Sequence, residues 1–525
     1  MTPHIAKPHA ETPHTATPHA TTVSRTIISD AYIATVDTAD TEHRDGYVVV
    51  DNDTIVAVGA GEAPRWALEG APAGAARTGS EPGNERRHAG AGEPAGDTAA
   101  STRASTNTSS GARDATGTPR ASVTLVDGRG HLVTPGLINT HHHLYQWLTR
   151  GNAQDSILFD WLTSLYPLWS MIDADLVEQG ALGAMAVAAK SGCTTVGDHH
   201  YVFPSGSGDI LGGIVRAANQ LGVRIHATRG SMDLGQSDGG LPPDFVVESI
   251  DAILAASDEA IDRYHDAGRG AMAQIALAPC SPFSVTADLL RESAALGRAR
   301  GVRLHTHGSE TVEEDAFCLS KFGKTPTQYL EDLDWLGSDV WMAHCVHLDD
   351  HAIARFAATG TAVAHCPSSN ARLAAGIAHV PAMLDAGINV GLGVDGAASN
   401  ESGQLGTEIR MAVLMNRLGA GADRMTGRAA LRMATMGGAA TLGRAGELGS
   451  IEVGKLADLA VWKIDGVEHA GILDPVAALT LGAQPPVALL LVNGVEVVRD
   501  GTLSRVDEGA VASAVARAST ALSLR

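Results

Sequence analysis

Along most of the chain, apolar residues come in short blocks separated by segments long enough to form a helix. From 135 to about 446 the two alternate regularly, which is the pattern of a parallel βα array rather than of hairpins. The blocks predict strands at 137–141, 194–198, 223–228, 274–278, 302–307, 340–344, 361–365 and 388–394. Eight strands in that order, over about 310 residues, are what a TIM barrel requires.

A different pattern flanks this array. Strand-like runs occur at 26–28, 47–50 and 55–58, with turn residues at Asp51-Asn52-Asp53. They resume at 122–126, and again beyond the barrel at 454–462 and 487–498. The expected architecture is therefore α/β: a distorted (β/α)8 TIM barrel at 135–446 with a small β-sandwich domain. That domain is expected to draw on both chain ends, at 23–60, 122–134 and 447–503, with a C-terminal helix at 504–525.

Two segments fit neither pattern. At 1–22 Pro-His recurs at His4, His9, His14 and His19, and the Pro and Thr content predicts a disordered tail. Residues 61–121 are rich in Ala, Gly, Ser, Thr and Pro and read as a flexible low-complexity insertion.

Composition removes some functions without choosing one. A net charge of −21 over 525 residues argues against nucleic acid or an anionic membrane as partner. No apolar run reaches transmembrane length, and 1–22 has no apolar core for export. The five cysteines are scattered and lack any CxxC spacing, as expected of reduced thiols in a cytoplasmic protein. The expected partner is a small molecule; whether the chain forms a homo-oligomer is left open.

The candidate chemistry lies at the strand ends. The first barrel strand runs into Thr134-Pro-Gly-Leu-Ile-Asn-Thr-His141-His142-His143. Strand side chains alternate between faces, so His141 and His143 share one face and His142 takes the other. Strand five ends in His305-Thr-His307-Gly-Ser-Glu310, strand six in Ala343-His344, and strand eight in Gly393-Val-Asp395-Gly. Barrel active sites are built at these C-terminal ends. His141, His143, His307 and Asp395 suit one divalent metal, Zn²⁺ or alternatively Fe²⁺, with a position left for water. Such an ion would bring the water's pKa toward neutrality. Asp395 could take the water's proton, Glu310 could move protons to substrate and leaving group, and His344 could hold the attacking oxygen. Glu310, His344 and Asp395 are thus the expected catalytic residues.

These motifs, with His365-Cys-Pro-Ser-Ser-Asn370 and Gly454-Lys-Leu-Ala-Asp, resemble the amidohydrolase superfamily in its mononuclear aminohydrolase branch. Longer loop strings resemble the bacterial 8-oxoguanine deaminases of that branch: Asp198-His-His-Tyr-Val-Phe-Pro204, Thr228-Arg-Gly-Ser-Met-Asp-Leu-Gly235 and Ala278-Pro-Cys-Ser-Pro-Phe-Ser284. The resemblance implies a metal-dependent hydrolytic deaminase of an amino-substituted purine, converting 8-oxoguanine to urate plus ammonia. It also implies that Gln146, Arg229 and Cys280 face the substrate. One departure is Gly308-Ser309 between ligand and acid, where a bulkier pair is expected.

Six of the 21 aromatic residues fall at 145–169, as packing on the barrel flank or as a lid that stacks a flat ring. Asp198, His199 and His200 are expected to support the site rather than to ligate. The alternatives are deamination of guanine, a pterin, cytosine or an s-triazine, and, from another class, a catalytically inactive metal-binding protein.

Overall fold

The computed structural model describes residues 23–69, 108–109 and 122–525. The Pro-His repeat at 1–22 and most of the 61–121 insertion lie outside the described residues.

Eight parallel strands close into a barrel. They are β1 (Leu137–His143), β2 (Cys193–His200), β3 (Arg224–Ser231), β4 (Ala273–Pro279), β5 (Leu304–Gly308), β6 (Val340–His344), β7 (Ala362–His365) and β8 (Val390–Leu392). β8 closes the ring on β1 at the pair Leu392 and Asn139. Beyond a break at Gly393-Val394, Asp395–Gly396 rejoins β1 beside His142 and His143.

β1, β2 and β3 are buried at every position, because helices cover the outer face and side chains fill the interior. The covering helices begin where a short polar side chain can take a free backbone N–H. Asp173, Asp209, Ser249 and Thr286 do so for Ala174–Lys190, Ile210–Leu221, Ile250–Tyr264 and Ala287–Arg300. Two of these helices stop at Gly222 (φ 80°) and Gly301 (φ 67°), left-handed positions that glycine adopts without cost.

The second unit draws on both ends of the chain. It is one continuous ten-stranded sheet rather than two separate ones. Ser24–Ala34 is its pivot, paired with Ser122–Asp127 along its first half and with His131–Pro135 along its second. The sheet curls until the Asn52 turn meets the segment before Leu459–Lys463, where Ala457 N–H donates to Asp53 C=O at 2.7 Å. Ile28, Ile33, Val48, Leu459 and Leu489 form one core inside this curl. Within the stretch expected to be an insertion, Arg65–Leu68 forms a helical turn. Its Ala67 is fully buried and its Trp66 lies 5.0 Å from the Arg25 guanidinium.

Arg224 ties the two units together. From the N-terminal end of β3 it reaches Asp458 Oδ1 at 2.9 Å and Asn493 Oδ1 at 2.7 Å, fully buried. The C-terminal helix Glu508–Ser523 lies against Ala174–Lys190, with a 2.6 Å ion pair between Lys190 and Glu508. No helix among the described residues is long and apolar enough to cross a membrane.

Candidate metal centre and cavity

The site forms at the C-terminal mouth of the barrel. β1 continues two residues past its expected end, so the whole His141–His143 triplet lies in the strand and alternation applies to it. His141 and His143 point inward. His142 does not belong to the cluster, and its Nδ1 accepts the His143 N–H at 2.9 Å. Ser309 (φ 52°), His344 (φ 69°) and Asp395 (φ 65°) all hold left-handed backbone. Each such residue costs about 1–3 kcal/mol, a strain that the surrounding barrel imposes where side chains must be aimed.

Hydrogen bonds fix which histidine nitrogens carry protons. His143 Nδ1 lies 2.5 Å from His199 C=O, and His307 Nδ1 lies 2.7 Å from Cys280 C=O. A carbonyl only accepts, so each Nδ1 is the donor and each Nε2 of the neutral ring is bare. His305 likewise donates from Nδ1 to Trp341 C=O at 2.8 Å. Its Nε2 therefore accepts from His141 Nδ1, also at 2.8 Å, which leaves His141 Nε2 bare.

Those bare atoms converge. His143 Nε2 is 3.2 Å from His307 Nε2, and Asp395 Oδ1 is 3.1 Å from His141 Nε2 and 3.2 Å from His143 Nε2. Lone pairs facing one another at this range repel unless a cation sits among them. Ligands of tetrahedral zinc, at 2.0–2.1 Å, are separated by about 3.3 Å. The donor set thus fits one zinc ion. Asp395 Oδ2 is held from behind by the hydroxyls of Ser369 at 2.5 Å and Ser399 at 2.9 Å.

Two further groups border the same point. His344 Nδ1 donates to Asn370 Oδ1 at 3.0 Å, which turns a bare Nε2 toward Glu310 Oε1, 3.7 Å away. Burial, reinforced by Asp395, pushes the Glu310 carboxyl well above the ordinary range. Glu314 fixes the backbone beneath it. Its Oε1 accepts Ser309 N–H at 3.1 Å and its Oε2 accepts Glu310 N–H at 2.7 Å.

These groups open onto a cavity covered by Leu158, Trp161, Leu162, Phe283 and Leu373. The free space is about 30 Å³, so a ring-sized ligand enters only if this cover moves. Of the aromatic residues at 145–169, only Trp161 borders the cavity, and its indole N–H is tied to Ala398 C=O at 3.1 Å. Tyr145, Tyr166 and Trp169 pack edge to face behind it, as core.

The three expected substrate contacts separate. Gln146 lines the cavity, fully buried, with neither amide atom hydrogen-bonded. Cys280 lines it too, its thiol pushed up to about 12 by burial and hence neutral. Arg229 does not line the cavity. Its guanidinium is clamped by both Glu248 oxygens, at 2.8 and 2.9 Å, and stacks 3.7 Å from the Phe203 ring. Asp198, His199 and His200 stay outside the cavity lining. His199 stands close enough to group with His141, His143 and His307; its Nε2 donates to Ala278 C=O at 3.0 Å, and its buried Nδ1 has no partner. Sequence reasoning gave no role to His305, Ser369, Asn370, Ser399 or Glu314. Ser369 and Asn370 belong to the Cys-Pro-Ser-Ser-Asn string that marks the family resemblance, and His305 shares a strand face with His307; Ser399 and Glu314 carry no sequence signal.

A closed barrel with one His/Asp metal centre at its mouth, bordered by Glu310 and His344, has the architecture of a metal-dependent hydrolase of the barrel type. The amidohydrolase family profile matches residues 132–497, and the chain belongs to that family. It is 45% identical over 401 residues to an 8-oxoguanine deaminase of Pseudomonas aeruginosa, covering 75% of this chain and 88% of that protein. It is 37% identical over 420 residues to an isoxanthopterin deaminase of an unknown prokaryotic organism, covering 75% and 86%. Among solved structures, an atrazine chlorohydrolase from Arthrobacter aurescens TC1 complexed with zinc superposes with a TM-score of 0.79 at 29% identity. That match covers 94% of this chain and 100% of the other.

Proposed function

We propose that this chain is a hydrolytic deaminase of an amino-substituted purine, and that its reaction is 8-oxoguanine plus water to urate plus ammonia. The observation that carries the reading is the meeting of bare donors from His141, His143, His307 and Asp395 with Glu310 and His344 on one ring-covered cavity. The 45% identity to a protein named for this reaction supports the choice of substrate.

His141, His143, His307 and Asp395 would hold a zinc ion, whose Lewis acidity would bring the deprotonation of water toward neutral pH. Asp395, gripped through Oδ2 by Ser369 and Ser399, accepts the proton that water gives up. His344, its tautomer set by Asn370, holds the remaining O–H through Nε2. Glu310 enters protonated and donates to the ring nitrogen beside the carbon under attack. As a carboxylate it then takes the proton of the added O–H and passes it to the departing amine, so that ammonia leaves as the ring carbonyl forms, and the proton held by Asp395 returns to Glu310. Gln146 offers one amide donor and one acceptor, a match for the N–H and C=O of a purine lactam edge.

The reading is tested by ammonia release from 8-oxoguanine, guanine, isoxanthopterin, cytosine and an s-triazine. Highest kcat/KM on 8-oxoguanine supports it. Release from a different ring, with none from 8-oxoguanine, overturns the substrate. The isoxanthopterin relative gives a pterin the second claim, since it carries a similar amino-lactam edge.

A further inference from the structure

A second pocket lies at the opposite, N-terminal end of the barrel, about 350 Å³ in volume. His226, Arg303 and Arg444 line it, with His265, Arg269 and Glu447 around them. This is within the size range of small-ligand sites.

Its charges do not cancel. Arg269 lies 3.6 Å from Asp53, and Arg444 pairs with Glu447. Glu447 is further committed to the Gly270 N–H at 2.8 Å. Arg303 has no carboxylate within ion-pair reach among the described residues. Its Nη1 and Nη2 donate to the Ser338 and Thr441 carbonyls at 3.1 and 2.9 Å, while its Nε is buried without a partner. His226 is 2% exposed, and neither of its ring nitrogens has a partner. Buried polar groups are almost always satisfied, and those that are not point to a missing water or ion. An N–H on His226 and the free Nε–H of Arg303 are both donors, and the unbalanced charge is positive. We propose that this pocket binds a small oxyanion of the phosphate or carboxylate type, held by Arg303 and His226.

The pocket stands one layer of side chains below the metal centre. Trp341 separates the two: the His226 ring lies 5.5 Å from it and the Arg303 guanidinium 5.7 Å. Trp341 also stacks at 4.3 Å on His305, the residue that accepts from His141. Metal and substrate therefore meet a different set of side chains from the oxyanion.

Inorganic phosphate is the probe, titrated into the zinc-loaded protein by calorimetry and by thermal unfolding against sodium chloride of equal ionic strength. Saturable one-to-one binding and a phosphate-specific rise in Tm are expected. Arg303→Met and His226→Phe should each weaken binding at least tenfold while zinc content stays at one per chain. Absence of any phosphate-specific effect in the wild type overturns the proposal, whether or not the variants fold. Binding that survives both substitutions but disappears on chelation also overturns it, because the phosphate is then at the metal. Arg303→Lys keeps the charge and removes the Nε–H; undiminished affinity in that variant contradicts the assigned contact.

Discussion

The Nε2 atoms of His143 and His307 face each other at 3.2 Å with a proton on neither, because each ring spends its only N–H on a backbone carbonyl. Such an arrangement is stable only around a cation. Chelation should therefore lower Tm, and adding zinc back should restore it. Free zinc at about a hundred times its Kd is worth about 2.7 kcal/mol. His307→Ala should bind less than one zinc per chain and lose this dependence, as read by metal analysis and thermal unfolding together.

Glu310 is not a ligand, so its loss should separate chemistry from metal binding. Glu310→Gln keeps shape and burial but cannot release a proton. A fall in kcat of about 10²–10⁴-fold is expected, the usual worth of a general acid–base group. Zinc content should stay unchanged. A variant that turns over normally would remove Glu310 from the proposed proton path.

Glu314 holds the acid in place through Ser309 and Glu310 N–H, and burial pushes its own carboxyl up to about 8. A group whose folded pKa is raised adds stability below its unfolded value, near 4.5. That stability is lost as pH rises through 8. Its share of the slope is at most about 1.4 kcal/mol per pH unit. Glu314→Gln should therefore flatten the fall in unfolding free energy between pH 5 and pH 8 relative to wild type, measured by denaturant titration at both. The same change sets an amide N–H against one of the two backbone donors. It should lower kcat by roughly 5- to 150-fold, the effect of one buried bond worth about 1–3 kcal/mol, with KM little altered.

Gln146 and Arg229 give opposite predictions. Gln146→Leu removes two unpartnered amide atoms from the cavity wall. It should reduce kcat/KM by roughly 5- to 150-fold, from about 1–3 kcal/mol of lost hydrogen bonding. Arg229→Met touches Glu248 and Phe203 instead, so KM should change less than threefold while Tm falls. Steady-state kinetics on the two variants distinguish the roles.

The barrel was legible because β strands covered on both faces read as apolar blocks, and because alternation alone sends His141 and His143 to one side and His142 to the other. The meeting of Glu310 and His344 on the cavity was legible for a similar reason: strand ends carry side chains to a common mouth. Arg229 was misplaced because its position in β3 says nothing about Glu248, nineteen residues further on, which captures its guanidinium. The supports of the site were hidden for the same reason. His305 meets His141 across 164 positions, and Asn370 meets His344 across 26. Such pairs exist only once the barrel has closed. The sandwich was anticipated from its scattered strands, but its continuity as one curled sheet depends on Ser24–Ala34 changing partners midway.

The central claim is most directly tested by following urate formation from 8-oxoguanine by its ultraviolet absorbance, with ammonia assayed in parallel, on protein carrying one zinc per chain. The account predicts urate and ammonia in equal amounts, abolished by chelation and by Glu310→Gln. Zinc-loaded protein that leaves 8-oxoguanine unchanged while deaminating another amino-heterocycle would contradict it.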